Sequence, residues 1–502
     1  MVSATEPAFA RRRSTRPPRI GPRRRLLRAV AVSAAAGAAG CQSAVPSRAQ
    51  IAQVNQLVRE RVPASWDVGQ LLAPDRARAA GPPAGALTLR EAVQRALVRN
   101  LSLVAASENL AIAHAQLVQA GLIQNPTLGQ TSATLWPLKP PVGAISFDVL
   151  ISQTINSILT QPARVSYAKT QQVEAGIDLA TQTFTLAQQV DAKYQEMIHL
   201  LRAQRLAQRI ADLYARAVRA AEARQRVGVI PTPELNRARL SFQDARRQVQ
   251  HLTTQYGRAA QEMNWLMGYS SPPQWRLPQA AVEDLGNIPQ LPEPSILESI
   301  ALRFRLDLFH ADLDRKLGVK NVELAKLGLI PQTILGFDYA RDSSRNTFIG
   351  PQFQITLPIF DPGLVAVALA EAQARKADKS YAALRGQVGQ DVRTAYANWK
   401  IAADDVTFFR EQLIPQQEQN VQLMEISFRL GNDDLDTLLN VYQSYVQQLQ
   451  SFEDAIQAYH DAGIAVQQAT GLAWERLLAE AHALPTTKPA TQPATTQAGG
   501  AP

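Results

Sequence analysis

Three aspartates within four residues, Asp433, Asp434 and Asp436, form an acidic group that could act on ions. They follow Gly431, and the apolar pattern that resumes at Leu435 predicts that a helix begins among them. Carboxylates at a helix N-terminus each gain up to about 1 kcal/mol from the helix dipole, which accounts for Asp433 and Asp434. Asp436 lies next to the apolar stripe. Copies of Asp436 around a symmetry axis would make an acidic ring that attracts cations and repels anions.

Catalytic motifs are not found in the sequence. It has no Gly-x-Ser-x-Gly, no phosphate-binding glycine loop and no His/Glu zinc motif. Its histidines are scattered without the spacing of metal ligands, at positions 114, 199, 251, 310, 460 and 482. We therefore predict that the protein is not an enzyme and that it has no metal site and no cofactor.

The single cysteine, Cys41, lies directly after a basic and then apolar N-terminal segment. An Arg-rich region, a short apolar region and small residues before a cleavage site are typical of a secretory signal, here residues 1–40. The residues Ala-Ala-Gly-Cys resemble a bacterial lipobox, although Ala38 stands where leucine is commoner. This predicts that Cys41 is the first mature residue and carries acyl chains, which anchor a protein stably when there are several. The alternative is an ordinary signal peptide with an incidental cysteine.

The positive net charge belongs almost entirely to the signal segment. The chain carries a formal charge of +9, and residues 1–40 contain nine arginines against Glu6, which is +8. The remainder is near +1 (9 minus 8), so no basic patch for nucleic acid is expected in the mature protein.

The chain contains an internal duplication. Leu101 and Pro126 match Leu306 and Pro331 at an offset of 205 residues, and Arg226-Val-Gly228 returns as Arg429-Leu-Gly431 at an offset of 203. A steady offset of this kind indicates two copies of one long unit. We place them at residues 87–283 and 284–475, after an extended N-terminal arm at 41–86 and before a disordered Pro/Thr/Ala-rich tail at 484–502.

Each copy is predicted to contain a helix, a β-hairpin, a long helix, a glycine turn and a second long helix. The first helices are expected at about 88–121 and 295–329, and period-two alternation marks strands near 145–151, 335–339 and 349–357. Apolar residues then step by three and four along 163–226 and 235–266, and again on both sides of Gly431. Such a period, held so long, is typical of a coiled coil. Pro415 should kink the helix that contains it.

The two hairpins set a physical requirement. No stretch after the signal approaches the 18 or so uninterrupted apolar residues of a membrane helix. Four strands cannot close a barrel, and open sheet edges do not survive in lipid. Either the hairpins are soluble, or several chains share one barrel.

The plan of residues 87–475 resembles that of TolC-type outer membrane efflux proteins, and the lipobox resembles that of the lipoprotein branch of this family. The resemblance rests on the duplication, the order of elements, the Arg-x-Gly turns and the sequence Ile-Thr-Leu-Pro-Ile-Phe-Asp at 355–361. The first copy departs from it, with Ile-Ser-Gln-Thr-Ile at 151–155.

The resemblance implies a mainly α-helical fold with a β-barrel part. In a homotrimer, three copies of four strands would build a 12-strand barrel in outer-membrane lipid, continuous with a coiled-coil α-helical tunnel across the periplasm. Such a tunnel docks a periplasmic adaptor (membrane fusion) protein and an inner-membrane pump. The chain would then be the passive exit duct of a multicomponent efflux or type I secretion system.

The resemblance also assigns roles to the glycine turns and to Asp436. The turns would be the periplasmic tips that meet the adaptor, formed by Val227, Gly228, Val229, Leu430, Gly431 and Asn432. A plain left-handed helix cap explains each glycine equally well as a local feature. Asp436 resembles one of the aspartates that line the closed entrance, while Leu439 stands where the family often has another.

The alternative function is that of a non-channel, structural periplasmic coiled-coil lipoprotein. The hairpins discriminate between the two, because a duct requires their alternating apolar side chains to face lipid. The exported cargo does not follow from the sequence, since drugs, metal ions, siderophores and peptides all fit a generic duct.

Overall fold

A computed structural model describes residues 46–61, 81, 83, 85–129, 147–283, 288–341 and 347–483. The expected signal peptide, Cys41 and the tail at 484–502 lie outside the described residues.

The first copy is mostly helical, and its N-terminal arm is not wholly extended. The arm contains a helix because Ser47 and Gln50 form a capping box at its start. Val54 and Val58 on this helix are buried. The elements are α1 (Arg48–Arg59), β1 (Gly85–Ala86), α2 (Leu89–Arg99), α3 (Leu101–Gly121), β2 (Thr127–Gly129), β3 (Phe147–Thr154), α4 (Asn156–Leu159), α5 (Gln161–Arg226), α6 (Thr232–Leu266), β4 (Trp275–Arg276) and α7 (Gln279–Glu283).

The second copy repeats this order, with one irregular helical segment. Its elements are α8 (Pro294–Phe304), α9 (Leu306–Leu327), β5 (Thr333–Arg341), β6 (Thr347–Ile355), α10 (Leu364–Phe408), a π-helical segment (Phe409–Leu413), α11 (Ile414–Leu430), α12 (Leu435–Thr470) and α13 (Trp474–Ala483).

The first helix of each copy is two helices rather than the predicted one. The breaks are at Asn100 and Arg305, which are 205 residues apart, as in the repeat. Asn100 leaves the helical conformation and its Oδ1 accepts the backbone N–H groups of Ser102 and Leu103, which caps α3. In the second copy the helix is interrupted at Arg305, whose side chain does not cap α9. The Arg305 guanidinium forms ion pairs with Asp307 and Asp391 instead.

The long helices confirm the coiled-coil period. Helix α5 has 66 residues, which corresponds to about 100 Å. It packs against α6 along its second half and against α2 and α3 along its first. It also contacts α9 and α12 of the second copy, so that α5 joins the two copies.

The predicted kink at Pro415 takes the form of the π-helical segment that precedes it. The N–H of Ile414 donates to the carbonyl of Phe409, five residues back. Proline has no N–H to offer to the carbonyl four residues before it, and the wider turn relieves the resulting mismatch. The ring of Phe409 stacks on Phe452 of α12 with the centroids 6.0 Å apart.

The two predicted hairpins form one antiparallel sheet in the order β2-β3-β5-β6. Strand β3 pairs with β5 across the two copies, with Ile151 opposite Phe337, and Phe337 lies opposite Pro351 of β6. Strand β3 ends at Thr154 and β6 ends at Ile355, so Leu357, which was predicted to belong to this strand, lies beyond its end. Among the described residues, β2 and β6 are the sheet edges.

Helix α3 is the one described helix that is long and apolar enough, by length and composition, to cross a membrane. This differs from the expectation of no such helix after the signal. Polar residues such as Glu108 and His114 interrupt its sequence, and it packs along α5 with Leu103 and Leu110 buried. Helix packing therefore accounts for the apolar residues on its buried side, whereas Leu101 and Ile112 are 69% and 54% exposed.

Candidate functional site

The first glycine turn ends α5 with exposed apolar residues. Gly228 has φ +73°, a left-handed conformation that favours glycine. Its N–H donates to the carbonyl of Gln225, and that of Val229 donates to Arg224. Val227 and Val229 are 73% and 64% exposed. The turn thus presents two valines to solvent, which local helix capping does not require.

The second turn has the same geometry. Gly431 has φ +84°, its N–H donates to the carbonyl of Phe428, and Asn432 donates to Ser427. Leu430 is 71% exposed. Both predicted tips are therefore left-handed caps with an exposed apolar rim, and no neighbouring atom lies within 4 Å of the position where either glycine would carry a Cβ.

The acidic residues after the second turn have three different partners. Asp434 is the N-cap of α12 and accepts the N–H of Thr437 at 2.7 Å, which lowers the pKa of this carboxyl. Asp433 accepts the hydroxyl of Ser427. The contact of Asp434 agrees with a capping role, whereas Asp433 connects the turn to Ser427 of α11. Asp436 instead forms an ion pair with Arg237 of α6, with Nη1 and Oδ2 2.6 Å apart.

The Arg237–Asp436 pair connects the two tips. The side chains are 63% and 45% exposed, so water still reaches the pair. The other carboxylate oxygen of Asp436, Oδ1, is buried and lacks a hydrogen-bond partner. A second contact lies nearby, where the Arg224 guanidinium stacks 3.8 Å above the Phe428 ring and donates to the Phe428 carbonyl. Both contacts join the first copy to the second.

A tightly packed apolar cluster supports the tips from within. Leu435, Leu438 and Leu439 are at most 3% exposed and pack with residues of α5, α6 and α11. The rings of Tyr214 and Tyr442 meet edge to face at 6.1 Å. Leu439 therefore belongs to the core.

The hydroxyl of Tyr442 adds a buried polar contact to this cluster. It donates to Oε1 of Glu425 at 2.8 Å, and Glu425 also lies 3.5 Å from Arg216. Burial, followed by the hydrogen bond to Glu425, raises the pKa of Tyr442. The tyrosine thus stays neutral and holds α12 against α11.

Arg237, Arg224 and Glu425 were not identified from the sequence. The second copy has no arginine at the position that corresponds to Arg237, because residue 440, 203 positions later, is asparagine. The partner of Arg237 lies 199 residues away in the chain, and neither spacing nor periodicity could pair them. The one available signal was Asp436 itself, because an aspartate beside a buried apolar stripe favours a basic side chain on the neighbouring helix.

Comparison with known proteins agrees with this architecture. The family model of outer membrane efflux proteins matches residues 92–269 and 297–472, one stretch in each copy. The cobalt-zinc-cadmium resistance protein CzcC of Cupriavidus metallidurans is 25% identical over 395 residues, covering 77% of this chain and 90% of CzcC. The pyoverdine export outer membrane protein OpmQ of Pseudomonas putida is 28% identical over 285 residues, or 53% of this chain and 58% of OpmQ.

Solved structures share the fold. The crystal structure of CusC matches with a TM-score of 0.65 at 17% identity, covering 79% of this chain and 96% of the CusC chain. The family model covers well over half of the sequence. The chain therefore belongs to the outer membrane efflux protein family and serves as the outer-membrane exit duct of an efflux system.

Proposed function

We propose that this duct is a homotrimer in which three four-stranded sheets close one barrel. The observation that supports this is the face formed by Ile151, Phe337, Tyr339, Ile349 and Phe353, which are 38% to 75% exposed. The register places them opposite one another, with Val149 and Ile349 flanking Tyr339. A continuous exposed apolar face suits lipid, and joining edge β2 to edge β6 of a neighbour removes the open edges.

Detergent-purified protein tests the trimer. We expect a species three times the mass of one chain that survives heating in mild detergent and dissociates on boiling. Cysteines placed on the same face of β2 and β6, for example Leu128→Cys with Ile349→Cys, should crosslink between chains. A monomer extracted without detergent would instead support the structural coiled-coil lipoprotein.

The tips are proposed to dock the periplasmic adaptor, which in turn engages an inner-membrane pump. Their exposed apolar rim, formed by Val227, Val229 and Leu430, supports this role. We expect Gly431→Trp to abolish export while trimers form normally, because open space surrounds this glycine.

Two controls separate docking from folding. Gly431→Ala imposes the same left-handed backbone strain, about 1–2 kcal/mol, without the bulk, and should retain export. Gly257→Trp adds the same bulk on an exposed part of α6 with no atom nearby, and should also retain export. Normal export by Gly431→Trp would remove the tip from the docking interface.

Asp436 is proposed to hold the periplasmic entrance closed through Arg237. The pair ties the tip of the first copy to that of the second, and rupture of such pairs would allow the tips to separate. Once these pairs are broken, the three Asp436 carboxylates of a trimer would no longer be neutralised by contact and would favour cations.

Cys41 is proposed to carry the lipid anchor. Metabolic labelling with a radioactive fatty acid should label the mature wild-type protein and not a Cys41→Ser variant. Equal labelling of both proteins would disprove the lipobox assignment.

The cargo is proposed to be metal cations. This rests on the relative named for cobalt, zinc and cadmium resistance, which matches a longer part of the chain than the pyoverdine exporter does. Deletion of the gene should lower the tolerated zinc concentration in growth assays. A deletion that impairs siderophore export and leaves zinc tolerance unchanged would reassign the cargo.

A further inference from the structure

His310 lies within a cluster of carboxylates on two facing helices. Asp314 is one turn along α9 from His310, and Glu174 and Asp178 are one turn apart on α5. The spacing of four residues on each helix brings each pair to one face. The four side chains are between 21% and 48% exposed.

The two ring nitrogens of His310 face different carboxylates. Nε2 lies 3.2 Å from Oδ1 of Asp178 and 3.5 Å from Oε1 of Glu174. Nδ1 lies 3.2 Å from Oδ2 of Asp314. Ligands of a tetrahedral zinc ion, with bonds of about 2.0–2.1 Å, are separated from one another by about 3.3 Å. Nδ1 of His310 and Oδ2 of Asp314 already have this spacing.

The charge of the cluster favours a cation. Three carboxylates surround one imidazole. Burial raises the pKa of the Glu174 carboxyl; His310 lowers this pKa, and the nearby Asp314 and Asp178 raise it. The nearest basic side chain in the adjoining cavity is Lys376 of α10, which lines that cavity together with Glu174 and Asp314. Donor atoms of Glu174, His310 and Asp314 can all lie within 4.8 Å of one another.

We propose that this cluster binds one divalent first-row transition-metal ion of the zinc type. Nδ1 of His310 and the carboxylates of Glu174 and Asp314 would be its ligands. Asp178, whose Oδ1 lies 3.2 Å from Nε2, would accept the Nε2–H and fix the ring orientation, as carboxylates commonly do for metal-bound histidines. One imidazole with carboxylate oxygens suits zinc, cobalt or nickel, and the cluster has no sulfur ligand for a softer ion such as Cu(I).

The site has a structural consequence. Glu174 and Asp178 belong to the first copy, whereas His310 and Asp314 belong to the second. A bound ion would therefore clamp α5 to α9 beside the end of the helices that carries the sheet. This inference concerns a site in the protein itself and does not depend on what the duct exports.

Zinc binding by the purified full-length protein tests the proposal. The protein, carrying a tag without histidine, is stripped with a chelator, and bound Zn²⁺ is measured by equilibrium dialysis and elemental analysis. We expect one ion per chain in the wild type and its loss in His310→Gln. Asp178→Asn should retain the stoichiometry and weaken the affinity about 10- to 100-fold.

Matched variants make the result decisive. His251→Gln removes an exposed histidine of α6 and should bind zinc like the wild type. Glu174→Gln with Asp314→Asn preserves the side-chain volumes and should lose the ion even if His310→Gln folds poorly. If wild-type protein binds no zinc, or if all variants bind it equally, His310 is only a charged partner of the carboxylates and the proposal is wrong. Growth on zinc, by contrast, reports the cargo and not this site.

Discussion

Breaking the Arg237–Asp436 pair should shift the duct toward its open form. Both side chains remain about half exposed, so one pair contributes about 0.5 kcal/mol, as exposed ion pairs do. In a trimer the three pairs together give about 1.5 kcal/mol. Because about 1.4 kcal/mol corresponds to a factor of ten in an equilibrium, Asp436→Ala should raise the open-to-closed ratio about tenfold.

Arg237→Ala should act at least as strongly. It leaves Asp436 with one oxygen unpaired at the surface and with Oδ1 buried and unsatisfied. The charge-reversed double variant, Arg237→Asp with Asp436→Arg, should restore much of the closed population. Salt at 1 M shortens the screening length to about 3 Å and should mimic the single variants in the wild type.

Single-channel recording in planar bilayers measures the open probability directly. The matched control is Arg247→Ala, which removes an arginine of α6 whose ion pair with Asp244 stays within the helix. The control should behave like the wild type. The reasoning fails if Asp436→Ala leaves the open probability unchanged, or if the charge reversal opens the channel further instead of closing it.

Three further changes follow from the packing. Leu439→Asp should destabilise the trimer by several kcal/mol in thermal unfolding, because it places a carboxylate at a position only 3% exposed; unaltered unfolding would show that Leu439 faces solvent. Gly431→Ala should lower stability by about 1–2 kcal/mol through its positive φ, and chemical denaturation would detect this. Burial, with smaller contributions from Arg202 and His199, lowers the pKa of His460 to about 4. A histidine with a lowered pKa contributes stability that is present above pH 6.5 and lost as the pH falls toward 4, by up to about 3 kcal/mol. The free energy of unfolding of His460→Leu should therefore depend less steeply on pH in this range than that of the wild type.

The sequence predicted the elements of the fold better than their contacts. The apolar stripes of α5 and α6 were predictable from the sequence. Apolar residues that step by three and four over tens of residues fit only a helix with one buried face. The break at Asn100 had a local signal, since asparagine followed by an apolar run is a good N-cap. Arg305 carried no such signal, and only the repeat offset pointed to it.

The contacts between the two copies could not be predicted from the sequence. The pairing of β3 with β5 depends on how two hairpins meet in space, and either could have paired with another chain. The same holds for His310, whose partners Glu174 and Asp178 lie more than 130 residues before it. A spacing search along one chain finds ligands on one helix, and it misses a site that two helices share.

The ion pair at the tips changes the roles of the two copies. The three aspartates occur only in the second copy, so the candidate gate residue, Asp436, belongs to that copy. Asp436 is paired with Arg237 of the first copy, however, and Arg224 of the first copy binds the carbonyl of Phe428 in the second. Each contact requires a side chain that is not present at the corresponding position of the other copy. The asymmetry that arose after duplication is therefore complementary, and the contacts between the two tips depend on both copies equally.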